Sequence, residues 1–124
     1  ENDWMRRGIY VIIKRSMHFP FFEVFNGTNS PSSCGHREDT VVSPQALTMM
    51  NGEIPRKLSK DFHDRLVQEC GDDQEKIIAR AWMLAFGRPA TEDEKELTLQ
   101  FLSGTDMITW CHALFNSNEF LYVR

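Results

Sequence analysis

The chain has 124 residues, 41% of them hydrophobic and 26% charged, with a net charge of -4. That length and composition suit one folded domain and exclude the low-hydrophobicity, high-charge pattern of a disordered chain. The acidic balance argues against a nucleic-acid partner, which selects basic excess, and no stretch approaches the roughly 20 apolar residues of a membrane span. The chain does not begin with Met and shows no leader pattern, so it reads as an internal piece of a longer polypeptide.

In chain order, Trp4 to Arg15 comes first, with Ile9, Tyr10, Val11, Ile12 and Ile13 at its centre. The β-branched residues allow a strand, whereas the flanking Arg6, Arg7, Lys14 and Arg15 and the segment's length favour a helix. Phe19 to Phe25 holds four phenylalanines around Pro20 and is expected to plug the core or meet a partner. A loop follows over 26–39, marked by Gly27, Asn29, Ser30, Pro31, Ser32, Ser33 and Gly35. Ser43 and Pro44 then suit an N-cap and first-turn proline, with Leu47 and Met50 on the helix and Asn51-Gly52 ending it.

The second half is more regular. Beyond Pro55, Leu58, Phe62, Leu66, Val67 and Cys70 recur at helical spacing up to a stop at Gly71. Asp72 to Glu75 fits a capping box, and Ile77, Ile78, Ala81, Trp82, Leu84 and Ala85 form the apolar face behind it. Gly87 and Pro89 end that helix. Thr91 to Glu94 repeats the capping pattern, with Leu97, Phe101 and Leu102 as the next stripe and Gly104 as its stop. Thr105 or Asp106 opens a further helix with Ile108, Cys111, Leu114 and Phe115 inward.

Residues 55–117 thus read as four successive helices with short connections, and short connections make antiparallel neighbours. The expected fold class is all-α: a small helical bundle of about four to six helices, with Trp82 central and an irregular N-terminal segment. The expected organisation is one domain over 1–124, with an aromatic-rich irregular part at 1–54 and a helical core at 55–124.

Chemistry-bearing residues are sparse. Cys34, Cys70 and Cys111 are three, so at most one pair can bridge internally, and no CxxC, CxxCH or HExxH pattern occurs. Cys34 and His36 form a close Cys/His pair in the loop, but two ligands on a loop hold a metal only if others join them. His18, His36, His63 and His112 share no metal-ligand spacing, and His63 is expected on a solvated face. Asn26-Gly27-Thr28 satisfies the short glycosylation acceptor pattern. Asp72, Asp73, Glu92, Asp93 and Glu94 complement helix dipoles in first turns rather than forming a catalytic carboxylate pair. No catalytic residue, metal ligand set or cofactor is assigned. The Arg6/Arg7/Lys14/Arg15 cluster reads as a solvated face or as a site for an anion or acidic partner.

Several strings together resemble a known family. They are Arg6-Arg7-Gly8-Ile9-Tyr10 with Lys14-Arg15; Cys34, Arg37, Thr40 and Pro44-Gln45-Ala46-Leu47; and Met49-Met50-Asn51. Later come Ala81-Trp82-Met83-Leu84-Ala85-Phe86-Gly87-Arg88-Pro89 with Thr91, and Ala113-Leu114-Phe115-Asn116-Ser117-Asn118-Glu119-Phe120-Leu121-Tyr122-Val123. The chain resembles the C-terminal half of the planctomycete-type PSD1 domain, the DUF1553 family. The resemblance implies a fragment of a large exported bacterial protein, periplasmic or at the cell surface. It implies upstream partner domains in the same polypeptide, such as DUF1549, a cytochrome c-like domain or a lectin-like sandwich, and no established activity.

Grouping these strings brings Arg6, Arg7, Arg37 and Gln45 together as a candidate anion or partner site, because guanidinium forks suit carboxylate or phosphate. The competing reading has the arginines bound to the protein's own carboxylates and helix-end carbonyls, such as those near Glu119. Tyr10, Thr40, Asn51, Arg88, Asn116, Asn118 and Glu119 read as structural: Asn116 as a helix terminator, in the left-handed region or through its own amide, Arg88 as a cap on the orphan carbonyls of the helix before it. The function expected is a non-catalytic helical structural or interaction module. The alternative is part of an enzyme acting on extracellular polysaccharide or another polymer, with a site shared with upstream domains.

Overall fold

The computed structural model describes residues 10, 20–25, 27, 35 and 43–122. Of these, 78% are helical, in seven helices and no strand, which makes the described part all-α. The helices are α1 (Pro20–Val24), α2 (Ser43–Asn51), α3 (Glu53–Cys70), α4 (Gln74–Phe86), α5 (Glu92–Leu102), α6 (Met107–Phe115) and α7 (Asn118–Leu121). The expected assignment of residues 4–15 to helix or strand lies outside the described residues, Tyr10 excepted. The chain divides into two compact units, 1–48 and 49–124.

In the first unit the aromatic segment makes its own short helix. The rings of Phe21 and Phe25, four residues apart on α1, stack with centroids 4.8 Å apart. The amide of Gly27 donates to Phe22 O at 2.6 Å as the chain turns away. A Cβ at Gly27 would lie 2.8 Å from that same carbonyl, so the turn requires glycine. Gln45, buried near the start of α2, donates from Nε2 to Val24 O at 3.1 Å. Helix α2 runs where Ser43, Pro44 and Asn51 predict it, and α1 is a further helix in the part expected to be irregular.

The second unit is built around α3, which packs against both α4 and α6. Its core is Leu66 from α3; Ile77, Ile78, Ala81 and Trp82 from α4; Ala90; and Trp110, Cys111 and Leu114 from α6. The stripes expected for α3 and α4 supply this core. Ser59 joins it, fully buried, its hydroxyl satisfied by donation to Pro55 O at 2.7 Å.

Three local expectations are corrected. The cap of α4 is Asp73, not Asp72: Asp73 accepts from Lys76 N at 3.2 Å, and its other oxygen meets Lys76 Nζ at 2.8 Å. One residue later in the turn, the carboxylate gains an ion pair as well as the amide. On α5, Leu97 and Phe101 do not face inward but are 64% and 41% exposed, and Thr98 is buried instead. The rotation of α5 is set by Glu94, which is held by Arg88, and positions 94, 98 and 102 share a face at four-residue spacing. The Thr98 hydroxyl donates to Glu94 O at 2.7 Å, so its burial leaves nothing unpaired. On α6, Ile108 sits at the solvent edge, while Trp110 occupies the core position beside Cys111.

The capping box of Thr91 and Glu94 forms as expected, with both reciprocal bonds present. Asp106 opens α6, accepting from Thr109 N at 2.9 Å. The stop of α5 is Ser103, whose hydroxyl donates to Gln100 O at 2.7 Å, and Gly104 is not among the positive-φ glycines. Gly87 does end α4 in the left-handed region, at φ 71 and ψ 10. Nothing lies within 4 Å of a Cβ built there, so Gly87→Ala is opposed by conformation alone. Urea denaturation is expected to register a loss of about 1 kcal/mol.

Cys70 and Cys111 are both free thiols. Cys111 has no exposed surface, and burial pushes its pKa up to about 12, whereas Cys70 is half-buried. Under brief iodoacetamide treatment at pH 8, mass spectrometry should find Cys70 alkylated and Cys111 untouched until denaturant is added.

Candidate functional site

The densest polar cluster among the described residues lies at the α4–α5 corner. Gly87 and Pro89 turn the chain there, and Arg88 between them projects back across the end of α4. Its guanidinium carbon lies 5.0 Å from the centroid of the Trp82 ring and 5.9 Å from that of Phe86. Those two rings are themselves packed 4.7 Å apart, so the cation rests on an aromatic floor.

Every donor of Arg88 is used. Nη1 and Nη2 donate to Glu94 Oε2 and Oε1 at 2.9 and 2.7 Å. Nε and Nη2 donate to Glu119 Oε1 and Oε2 at 2.7 and 2.8 Å. The remaining Nη1 hydrogen goes to Pro89 O at 3.2 Å. Five N–H groups meet five acceptors, and both carboxylates are held bidentately. The sequence reading of Arg88 as a cap on helix carbonyls is therefore corrected. The carbonyl of Met83 is already taken by Gly87 N at 3.1 Å, and the guanidinium gains more from two carboxylates than from a neutral acceptor.

The electrostatics follow from this geometry. Arg88's hydrogen bonds, together with the Thr91 amide that Glu94 also accepts at 2.7 Å, hold the Glu94 carboxyl down at about 2. Arg88 likewise lowers Glu119 below the usual carboxylate range, and the two acids raise Arg88 in return. Glu119 stands on α7, so the cluster ties that last helical turn to the corner between α4 and α5.

A second polar tie joins the end of α6 to Met49. His112 Nε2 donates to Met49 O at 2.9 Å, which fixes the proton on Nε2. Asn116 Nδ2 donates to His112 O at 2.8 Å and reaches Met49 O at 3.5 Å. Asn116 ends α6 as expected of a terminator, not by the left-handed region, since it stands at φ -93 and ψ 0, but through its own side-chain amide on a helix-end carbonyl. A third tie is Glu69, which accepts from Arg65 Nε at 2.7 Å and Arg80 Nε at 2.6 Å and so links α3 to α4. Both arginines lower its pKa.

Of the other singled-out residues, Arg6, Arg7, Cys34, His36, Arg37 and Thr40 lie outside the described residues, as do Asn26 and Thr28 of the acceptor pattern. Gln45 is occupied by the end of α1, as given above. Tyr10 is 63% exposed, and Asn51 is the last residue of α2. Asn118 opens α7, and its carbonyl accepts from Tyr122 N at 3.0 Å. His63, expected on a solvated face, is half-buried, with Nδ1 3.1 Å from Asp64 Oδ1.

Sequence reasoning missed Glu94 as Arg88's partner, having assigned it to the capping box with Thr91 and to the helix dipole. The usable signal was the Arg88-x-x-Thr91-x-x-Glu94 spacing, which puts a capping-box carboxylate six residues beyond an arginine in the short α4–α5 connection. It also missed His112, for which a contact to residue 49 leaves no local pattern. Among the described residues no group of three or more His, Cys, Asp or Glu is arranged to hold a metal ion, and no helix is long and apolar enough to cross a membrane.

Comparison with known proteins adds one relation. A family model described as "PSD1: Protein of unknown function (DUF1553)" matches residues 1–102. The match takes in the Arg6–Tyr10, Pro44–Asn51 and Ala81–Thr91 strings and stops short of Asn116–Val123. No curated protein matches the chain, and no solved structure does.

Proposed function

We propose that this chain, which belongs to the PSD1 (DUF1553) family, is a non-catalytic helical module of a larger exported bacterial protein, and that it docks against other domains of the same polypeptide. The observation that carries this reading is how its polar and apolar residues are deployed. The motif residues Arg88, Glu119 and Asn116, with Glu94 and His112, bond to one another and to backbone carbonyls. Apolar side chains that an isolated helix bundle would turn inward instead stand outward on α5: Leu97, Leu99 and Phe101. Leu97 and Phe101 are four residues apart and form one ridge, a surface suited to burial against another domain. An exported or periplasmic location and upstream DUF1549, cytochrome c-like or lectin-like domains belong to the same proposal, and rest on the family.

Hydrogen exchange tests it. Backbone amides of α5 are measured in this chain alone and in the same segment within its longer polypeptide. Slower exchange across residues 96–102 in the longer protein is expected. Identical exchange in both would contradict docking through α5, and turnover of a polysaccharide by the longer protein that depends on residues of this segment would favour the enzymatic alternative.

A further inference from the structure

Helix α5 divides its surface in two. One side packs against α6 and carries Thr98 inward, with Glu94 held by Arg88 at the corner. The other side faces solvent with the ridge of Leu97 and Phe101 and with the exposed carboxylates of Asp93 and Glu96. Asp93 stands one turn before Leu97 in the ridge's own row, and Glu96 lies one turn from Asp93 in the adjoining row, so the two charges border the ridge.

These two acids differ from their neighbours. Glu92 accepts from Lys95 Nζ at 2.7 Å, and Glu94 is bound by Arg88. Among the described residues neither Asp93 nor Glu96 meets a cation or a hydrogen-bond donor, and the lysine of α5 is already occupied by Glu92. The helix dipole accounts for Asp93, which stands in the first turn with Glu92 and Glu94, but its influence fades before Glu96. Glu96 is three residues from Asp93, a spacing at which like charges repel, and it gains no compensating pair. An exposed apolar ridge bordered by carboxylates left without a counter-charge is complementary to one kind of surface, in which apolar residues are flanked by lysine or arginine.

We propose that the surface docking on α5 is a basic amphipathic segment of another domain of the same polypeptide, whose apolar row covers Leu97 and Phe101 and whose lysines or arginines meet Asp93 and Glu96. This rests on the docking role proposed above and supplies a partner chemistry for it. The apolar contact provides the burial. The ion pairs fix the register and exclude acidic surfaces, because like charges brought together at an interface are costly.

The test measures amide exchange across residues 96–102 in the longer polypeptide at two concentrations of sodium chloride, about 0.1 M and about 1 M, between which the screening length drops from about 10 Å to about 3 Å. The protection gained over the chain alone is expected to fall on the order of tenfold at the higher salt. The double variant Asp93→Asn, Glu96→Gln in the longer protein is expected to show protection on the order of tenfold below wild type at the lower salt, with little further change at the higher. Both side chains are exposed, and the chain alone carrying the two substitutions should melt close to the wild-type temperature, which separates an effect on docking from one on folding. The salt series on the unsubstituted protein does not depend on the variant. Protection that is indifferent both to salt and to the two substitutions would overturn the basic partner while docking through α5 stands. No protection at either salt would remove the docking role and this inference with it.

Discussion

Replacing Trp82 by alanine is expected to cost about 3 to 5 kcal/mol of folding free energy, the largest loss at any single position. The ring is buried in the α3–α4–α6 core, lies 4.7 Å from Phe86, and forms the floor beneath Arg88. Truncation opens a cavity and removes that support together. Phenylalanine at the same position separates the two effects. Among the described residues the buried indole Nε1–H has no acceptor, so Trp82→Phe removes an unsatisfied donor while keeping an aromatic face. It should cost much less than alanine. Urea denaturation of the three proteins checks both statements, and a loss below about 1 kcal/mol for Trp82→Ala would mean the ring is peripheral.

The second large effect is on acid stability. Glu94 is held at about 2 in the folded chain and returns towards the ordinary value of 4.5 on unfolding. Between those values the unfolded chain binds more protons, so lowering the pH favours unfolding. The stabilisation from Glu94 is complete above about pH 4.5 and disappears as the pH falls towards 2, and Glu119 adds to the same acid limb. Melting temperatures taken from pH 7 to pH 2 should fall steeply over that window. Glu94→Gln should start lower at pH 7 and fall less steeply. Some slope will remain, because Glu69, Asp73 and Asp106 are also held below their ordinary range by hydrogen bonds in the folded state.

Much of the helical half was legible because its signals are local. The Thr91–Glu94 box, the Gly87 stop and the stripe from Ile77 to Trp82 each lie within one or two turns of chain, where spacing alone decides the outcome. The α5 stripe was misread for the opposite reason. Leu97 and Phe101 satisfy helical periodicity as well as Thr98 does, and what turned Thr98 inward is the grip of Arg88 on Glu94, a contact made across the α4–α5 corner. The site was partly legible: Arg88 and Glu119 were both picked out and both read as structural. Their direct pairing was not, since 31 residues separate them and only the folded path of α5 and α6 brings them together. Helix α7 was missed because four residues carry too little periodicity to declare a helix, although Ser117 caps it through Phe120 N at 3.3 Å.

The central claim is that the polar motif residues at the α4–α5 corner act as one internal lock. A double-mutant cycle at pH 7 on Arg88→Met and Glu94→Gln tests it most directly, with unfolding free energies measured in urea for the four proteins. If the pair is a lock, each single variant loses most of what the double variant loses, because removing either partner leaves the other without its bidentate bonds. Strictly additive losses would mean that Arg88 and Glu94 stabilise the fold independently, and would contradict the account.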